Sequence, residues 1–382
     1  MVPLRGRVRP YAWGSRTVIA DLQGRPVPSD GPEAELWLGA HPGDPSTVDT
    51  PAGPVSLLDR IAADPPAALG PTVVARFGAR LPYLLKVLAA AEPLSLQAHP
   101  DTSRAVAGFA AADPNYADPY HKPELLVALD EFHALCGFRD PDRSAATLRD
   151  LGVPALAAVA GGLAADAPPA GRLRDAVTTL LTWPVADRAA LVSTVAAAAR
   201  GDAFVGELAA RYPDDLGVVV ALLLNRVVLA PGQAIWMPAG NLHSYLRGSG
   251  IEIMAASDNV LRGGLTRKRV DVAELLRVLR FDVLPDPVVR SVPVAAGVET
   301  WPVPVPDFAL YRITLTGASV TVPAPGPRVV LCLAGQGTVD DGTTAVVLGR
   351  GDSAFGDASD KPLVLGGDGD VFLATVDAGR AA

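Results

Sequence analysis

Of the five histidines in this 382-residue chain, two sit in patterns suited to holding a metal. In Ser95-Leu96-Gln97-Ala98-His99 polar and apolar residues alternate. On a β-strand alternate side chains share a face, so Ser95, Gln97 and His99 point one way and Leu94, Leu96 and Ala98 the other. The apolar row has packing to do; the polar row has a role only if it lines a site. The same parity makes Lys122 cofacial with Glu124, which opens the apolar run Leu125-Leu126-Val127, and makes His243 cofacial with Tyr245. Gln97, His99, Glu124 and His243 together offer one amide oxygen, two imidazoles and one carboxylate. That set suits Zn²⁺ in a redox-silent enzyme and is also open to Fe or Mn. Three neutral donors and one carboxylate leave a divalent ion with a net charge of about +1, able to stabilise an oxyanion on a bound substrate. Taken singly, each residue reads as an ordinary structural side chain; their joint occurrence on cofacial positions favours a metal. His41, His121 and His133 have no comparable setting.

The elements that must position these residues read as follows. From Met1 to about Asp140 short apolar runs are broken by Pro, Gly and Asp, a β-rich pattern with strands expected at Ala34 to Leu38, Tyr83 to Leu88, Leu94 to His99 and Glu124 to Ala128. The chain turns alanine-rich from Arg143 to Leu224, with helical periods at Arg172 to Leu181, Ala186 to Ala199 and Ala203 to Arg211. β character resumes at Arg226, a helical segment follows at Val272 to Leu279, and Leu284 to Pro306 reads as a linker or edge passage. From Tyr311 to Val376 short β runs alternate with Gly and Asp turns, as in a sandwich or jelly roll. The expected class is mainly β with a helical insertion. Residues 1–140 plus 226–283 form a catalytic domain, 141–225 a helical domain, and 284–382 a C-terminal β domain that contains no histidine and so no metal.

Composition narrows the function. A net charge of −8 with no basic run argues against nucleic acid or an anionic membrane as partner. No apolar run is long enough to span a bilayer, and the N-terminus lacks the apolar core of a signal peptide. Cys136 and Cys332 form no CxxC, which fits a reducing cytoplasm. An anionic substrate then needs a local cationic cluster. The stretch Ala255 to Lys268 is rich in polar residues; its Gly263-Gly264 pair allows close backbone approach, and Arg262 and Lys268 suit a phosphate or an oxyanion. No dinucleotide fingerprint, Walker loop, GxSxG or HExxH is present, so nucleotide binding, serine hydrolysis and zincin chemistry lack support.

The spacing Gly232-x5-Pro238-x-Gly240-x2-His243 resembles the second motif of the cupin barrels, whose turn delivers a histidine into the barrel mouth. Five further segments, in order, resemble the type I mannose-6-phosphate isomerase family: Tyr11-Ala12-Trp13-Gly14, Glu35-Leu36-Trp37-Leu38-Gly39, Leu94-Ser95-Leu96-Gln97-Ala98-His99-Pro100, His121-Lys122-Pro123-Glu124 and Ser257-Asp258-Asn259-Val260-Leu261-Arg262-Gly263-Gly264. The resemblance covers about residues 8 to 280. It implies a cupin-type jelly-roll catalytic region, a helical insertion and a second β domain. It also implies one zinc held by Gln97, His99, Glu124 and His243, the set reached above from strand parity. The implied reaction interconverts mannose 6-phosphate and fructose 6-phosphate through a cis-enediol(ate).

Lys122, Glu252 and a metal-bound water are the candidate bases, with Lys122 favoured on the expectation that Arg262 lies beside it and depresses its pKa. Arg262 is expected to share the oxyanion's charge. Ser95, Lys86 and Lys268 are the expected phosphate anchors, and Trp13, Glu35, Asp258 and Tyr245 the remaining substrate contacts. A cytoplasmic monomer acting on a small sugar phosphate follows. Another metal enzyme on the same barrel, or a non-catalytic sugar-phosphate binder, would fit the scaffold too. Arg247 stands where the cupin motif expects Asn, Asn241-Leu242 replaces a common Glu-Pro or Asn-Pro, and Arg267 replaces a usual Pro; these departures bear on substrate preference.

Overall fold

A computed structural model describes residues 1–50 and 53–377. Two antiparallel sheets and a set of helices make up the molecule. One sheet runs Val288–Val289, Ala234–Met237, Glu124–Ala128, His243–Ala255, Tyr83–Ala90, Glu35–Leu38 and Arg7–Arg9, with Leu224–Leu229, Phe132–Phe138, Leu96–Ala98 and Leu261–Gly264 joined to it. The long strand His243–Ala255 is its pivot. Residues His243 to Arg247 pair with Phe132–Phe138 and with Gln97, and Gly248 to Ala255 pair with Tyr83–Ala90 and Glu124–Ala128. The switch falls at Gly248, where φ is 118° and a Cβ would stand 2.7 Å from the Glu131 carbonyl oxygen. Only glycine takes that corner.

Alternation along Tyr83–Ala90 divides the two faces of this sheet. Tyr83, Leu85, Val87 and Ala89 enter a core shared with Leu310, Val329, Leu331, Phe355 and Phe372 of the second sheet. Leu84, Lys86 and Leu88 turn the other way, towards a polar cleft. Below that cleft the same inner face is filled by Leu126, Phe132, Cys136, Met237 and Tyr245. The polar site therefore sits beside an apolar layer, on strands Tyr83–Ala90 and Glu124–Ala128 that are buried on both faces.

The second sheet shows where sequence reasoning divided the chain differently. Its order is Val292–Ala295, Val298–Thr300, Ala309–Thr316, Leu363–Thr375, Arg328–Asp340 and Ser353–Gly356, followed by Val2–Arg5, Thr47–Thr50 and Gly53–Ser56. Residues expected to belong wholly to the catalytic region thus supply three of its strands, because Val2–Arg5 pairs with Ser353–Gly356 and gives that strand a partner on its open side. The expected passage 284–306 carries short strands, of which Val288–Val289 and Val292–Ala295 are sheet edges.

The region read as β-rich also holds helices Leu57–Ala63, Pro65–Leu69, Pro71–Phe77 and Thr102–Ala110, so the protein is a mixed helix and sheet structure. Ser56, Asp64 and Asp101 cap three of them by accepting backbone N–H bonds, and Pro65 and Pro71 occupy first-turn positions. Prolines taken as strand punctuation act here as helix starters. The strand expected from Leu94 to His99 is shorter, Leu96–Ala98. Leu96 and Ala98 pack into the core of the helical insertion as expected, whereas Leu94 precedes the strand and lines the cleft. That insertion comprises Pro141–Asp150, Ala157–Leu163, Pro169–Leu181, Val185–Ala198, Ala203–Arg211 and Gly217–Val220. It lies against the back of the strands that carry Gln97 and Arg262.

Candidate active site

Register brings the expected donors together. Gln97 lies directly opposite His243 on one side and Arg262 on the other, so the three share one face across three strands. Glu124 begins its strand opposite Met254 and Met237. Its Oε2 lies 3.3 Å from His99 Nε2 and 3.2 Å from His243 Nε2. The ligating atoms of His99, Glu124 and His243 all fall within 4.8 Å of one another. Gln97 and Glu124 line the same cleft, while the two imidazoles lie buried behind its surface.

Protonation is fixed by what surrounds the rings. His99 Nδ1 is 2.7 Å from the Asn259 carbonyl oxygen and His243 Nδ1 is 3.1 Å from that of Asn241. A carbonyl can only accept, so each ring carries its proton on Nδ1 and turns the Nε2 lone pair towards Glu124. Burial pushes His99 down to about 4, which keeps the ring neutral near pH 7. Burial alone would raise the Glu124 carboxyl, but the Lys122 ammonium 3.3 Å away draws it the other way, and the carboxyl lies well below the usual range. His99 Nε2, Glu124 Oε2 and His243 Nε2 are all buried without a hydrogen-bond partner among the described residues. Converging, desolvated lone pairs are costly unless a cation sits among them. The donor set fits zinc, with carbonyls orienting both histidines from behind.

The cleft beside these donors encloses about 640 Å³, within the range that holds a small molecule. Its floor carries a second charged group. Lys86 Nζ lies 2.9 Å from Glu252 and 3.7 Å from Glu35, and the Tyr245 hydroxyl donates to the other Glu252 oxygen at 2.8 Å. Burial opposes the Lys86 charge, but Glu252, Glu35 and Glu124 outweigh it and raise its pKa; burial likewise raises Glu252. This corrects the expected phosphate role of Lys86. An ammonium 7 % exposed and held by two carboxylates is already neutralised in the floor and is not free for a phosphate. Glu35 accepts from Trp37 Nε1 at 2.5 Å, so Glu35 and Tyr245 line the cleft with their polar atoms already partnered.

Lys122 also differs from expectation. The charge found against its ammonium is Glu124, at 3.3 Å, rather than Arg262. Arg262 reaches the cleft half-buried, with burial lowering its pKa and no hydrogen bond or ion pair among the described residues. Ser95, Trp13 and Lys268 line the cleft as expected. Asp258 does so while pairing with His41 at 3.3 Å, and that bond lowers its pKa. Several lining residues were not singled out from the sequence. Arg211 and Tyr212 come from the helical insertion, and Thr266 and Arg267 flank Lys268. Arg211 is ion-paired with Glu92 at the cleft mouth. An arginine at the end of a surface helix gives no sequence signal of this, because the insertion's docking decides it.

Comparison with known proteins places this geometry. Mannose-6-phosphate isomerase of Escherichia coli is 38 % identical over 388 residues, covering 97 % of this chain and 98 % of that protein. The chain belongs to the type I phosphomannose isomerase family. Residues 1–141 match the family model described as phosphomannose isomerase type I, catalytic domain. Mannose-6-phosphate isomerase 2 of Arabidopsis thaliana is 32 % identical over 410 residues, covering 97 % of this chain and 91 % of that one. Among solved structures, a point mutant of phosphomannose isomerase from Salmonella typhimurium superposes with a TM-score of 0.90 at 34 % identity, covering 99 % of both chains. A mannose 6-phosphate isomerase bound with zinc and yttrium gives a TM-score of 0.88 at 34 % identity, over 98 % of this chain and 99 % of that one. A zinc-bound family member and the buried donor cluster here point to the same cofactor.

Proposed function

We propose that this chain is the zinc-dependent aldose–ketose isomerase that interconverts mannose 6-phosphate and fructose 6-phosphate. The observation that carries the reading is the convergence of His99, Glu124 and His243 on unsatisfied lone pairs at the wall of a cleft whose rim is cationic. Gln97, facing the same way from the strand opposite His243, is proposed as the fourth ligand. A bound divalent ion supplies Lewis acidity towards the substrate's oxygens.

The remaining work falls to side chains. After ring opening, removal of the C2 proton of the aldose forms a C1–C2 double bond and leaves negative charge on O1. Returning a proton to C1, and moving the O2 hydroxyl proton to O1, gives the 2-ketose with no change in composition. We assign Arg262 to the developing oxyanion, since it is an unpaired cation across the strand from Gln97. Lys122, held by Glu124, is the proposed carrier of the proton. Glu252 is the second candidate, because burial moves its carboxyl towards the range useful to a base. Lys86 and Tyr245 fix that carboxylate in place. Ser95 and Lys268 are the proposed phosphate contacts, and Trp13, Glu35 and Asp258 shape the sugar's pocket.

The division of faces around the cleft supports a cupin-type jelly roll for the catalytic sheet, and a metal-free jelly-roll-like C-terminal region beside it. A monomer is the proposed working unit. Cys136 and Cys332 are unpaired and buried, and no helix among the described residues is long and apolar enough to cross a membrane; with the acidic charge, this supports a cytoplasmic enzyme with no nucleic-acid partner. The deciding test is a coupled assay of purified, metal-analysed protein. Turnover of mannose 6-phosphate that is lost on chelation and restored by zinc is expected. Full activity in metal-free protein would refute the reading.

A further inference from the structure

Beside the cleft the helical insertion and the turn at residues 264–266 approach backbone to backbone. Asp215, at the end of that insertion, accepts the Gly217 N–H on Oδ1 at 2.7 Å and the Thr266 N–H on Oδ2 at 2.9 Å. The two segments touch without side chains between them. A Cβ on Gly264 would stand 2.6 Å from Gly217 Cα, and one on Gly217 2.6 Å from the Leu265 nitrogen. Both residues of the turn lie in the left-handed region, Gly264 at φ 124° and Leu265 at φ 53°. For leucine that conformation is strained and persists only where its surroundings hold it. Here the Leu265 side chain is buried in the insertion's core, 1 % exposed, and the backbone of the next residue, Thr266, is held by Asp215. Immediately beyond the turn, Thr266, Arg267 and Lys268 line the cleft.

We infer that Asp215 is a positioning residue for substrate, its carboxylate clamping the strained turn at residues 264–266 so that Thr266, Arg267 and Lys268 face the cleft. The helical insertion thereby sets the affinity of the cationic rim while leaving the metal donors untouched. The inference rests on the reading above that this rim holds the substrate's phosphate.

The test compares wild type with Asp215→Asn, Gly217→Ala and Lys268→Ala, each metal-loaded and checked for folding by circular dichroism. The readouts are kcat and KM for mannose 6-phosphate and the inhibition constant of inorganic phosphate. Asn keeps one acceptor and turns an NH₂ group on the other backbone donor. Asp215→Asn should therefore raise both KM and the phosphate inhibition constant about 5- to 20-fold, with kcat within about twofold and metal content unchanged. Gly217→Ala keeps the carboxylate but pushes the turn away, and should shift the same constants in the same direction. In Asp215→Asn/Lys268→Ala the two effects should be less than additive, because one acts through the other; full additivity, or an unchanged KM in folded Asp215→Asn, overturns the inference. Should Asp215→Asn fail to fold, Gly217→Ala decides on the same criteria. If Lys268→Ala leaves phosphate inhibition untouched, the phosphate reading of the rim fails, and the clamp stands or falls on the Asp215→Asn KM alone.

Discussion

Replacing Arg262 by alanine separates catalysis from architecture more cleanly than any other change in this cleft. The guanidinium is half-buried and unpaired among the described residues, so truncation breaks no hydrogen bond or ion pair and relieves some desolvation. Thermal stability should therefore change by no more than about 0.5 kcal/mol. Metal content should hold, since Arg262 is a neighbour of Gln97 across the ladder and is itself no ligand. The rate is another matter. A fixed donor aimed at a developing oxyanion in a water-poor site is worth about 10²–10³ in kcat, or about 2.7–4 kcal/mol. Arg262→Ala is expected to lose that factor in kcat and kcat/KM together, and Arg262→Lys to recover part of it through charge alone. Steady-state kinetics with parallel metal analysis and melting curves measure all three. A rise in KM with kcat intact would show that Arg262 only binds the ground state and would refute the assignment.

Three further outcomes follow from named contacts. His243→Ala removes one of two imidazoles from the donor cluster, so bound metal should fall from one per chain towards none, read by elemental analysis; stoichiometric metal in the variant would refute the ligand set. Lys268→Ala should weaken mannose 6-phosphate binding selectively and make it less salt-sensitive, and unchanged binding across an ionic-strength series would remove it from the phosphate site. Glu274 governs acid stability. Burial alone would raise its carboxyl, but bonds from Arg104, Tyr116 and Arg277 bring it down to about 2. A depressed folded value stabilises the protein above the unfolded value of 4.5 and loses that contribution as pH falls towards about 2. The difference between the two values corresponds to an upper bound of about 3.5 kcal/mol, reduced by solvent screening of the part-exposed Arg104 and Arg277. In urea unfolding, Glu274→Gln should be less stable than wild type at pH 7 and converge with it near pH 2; a constant gap across that window would show that the charge is not responsible.

The convergence of His99, Glu124 and His243 was partly legible because β parity is a local property. Gln97 shares a face with His243 and Arg262 through the ladder, His99 follows directly after the strand, and the turn from Gly232 to His243 is written in glycine and proline positions. Charge pairing was not legible in the same way. Whether a lysine is a phosphate anchor or a buried counter-ion depends on what lies opposite, and Lys86 faces Glu252 only because Tyr83–Ala90 pairs with the far half of His243–Ala255. Whether Arg262 comes beside Lys122 was likewise left to packing; the charge found against Lys122 is the cofacial Glu124. The helices at 57–77 and 102–110 did announce themselves through Ser56, Asp64 and Asp101 caps, signals that a β-rich context concealed.

By itself, then, the amino-acid sequence determined the chemistry on offer: which side chains share a face, where the alanine-rich helices run, and that an acidic chain must gather its cations locally. Tertiary structure alone decided which faces meet. The pairing of Val2–Arg5 with Ser353–Gly356, the Arg211–Glu92 ion pair and the Asp215 clamp on residues 264–266 each join segments far apart in the chain. Such contacts are chosen by the burial of whole sheets and helix faces, a collective free energy that no local pattern of residues encodes.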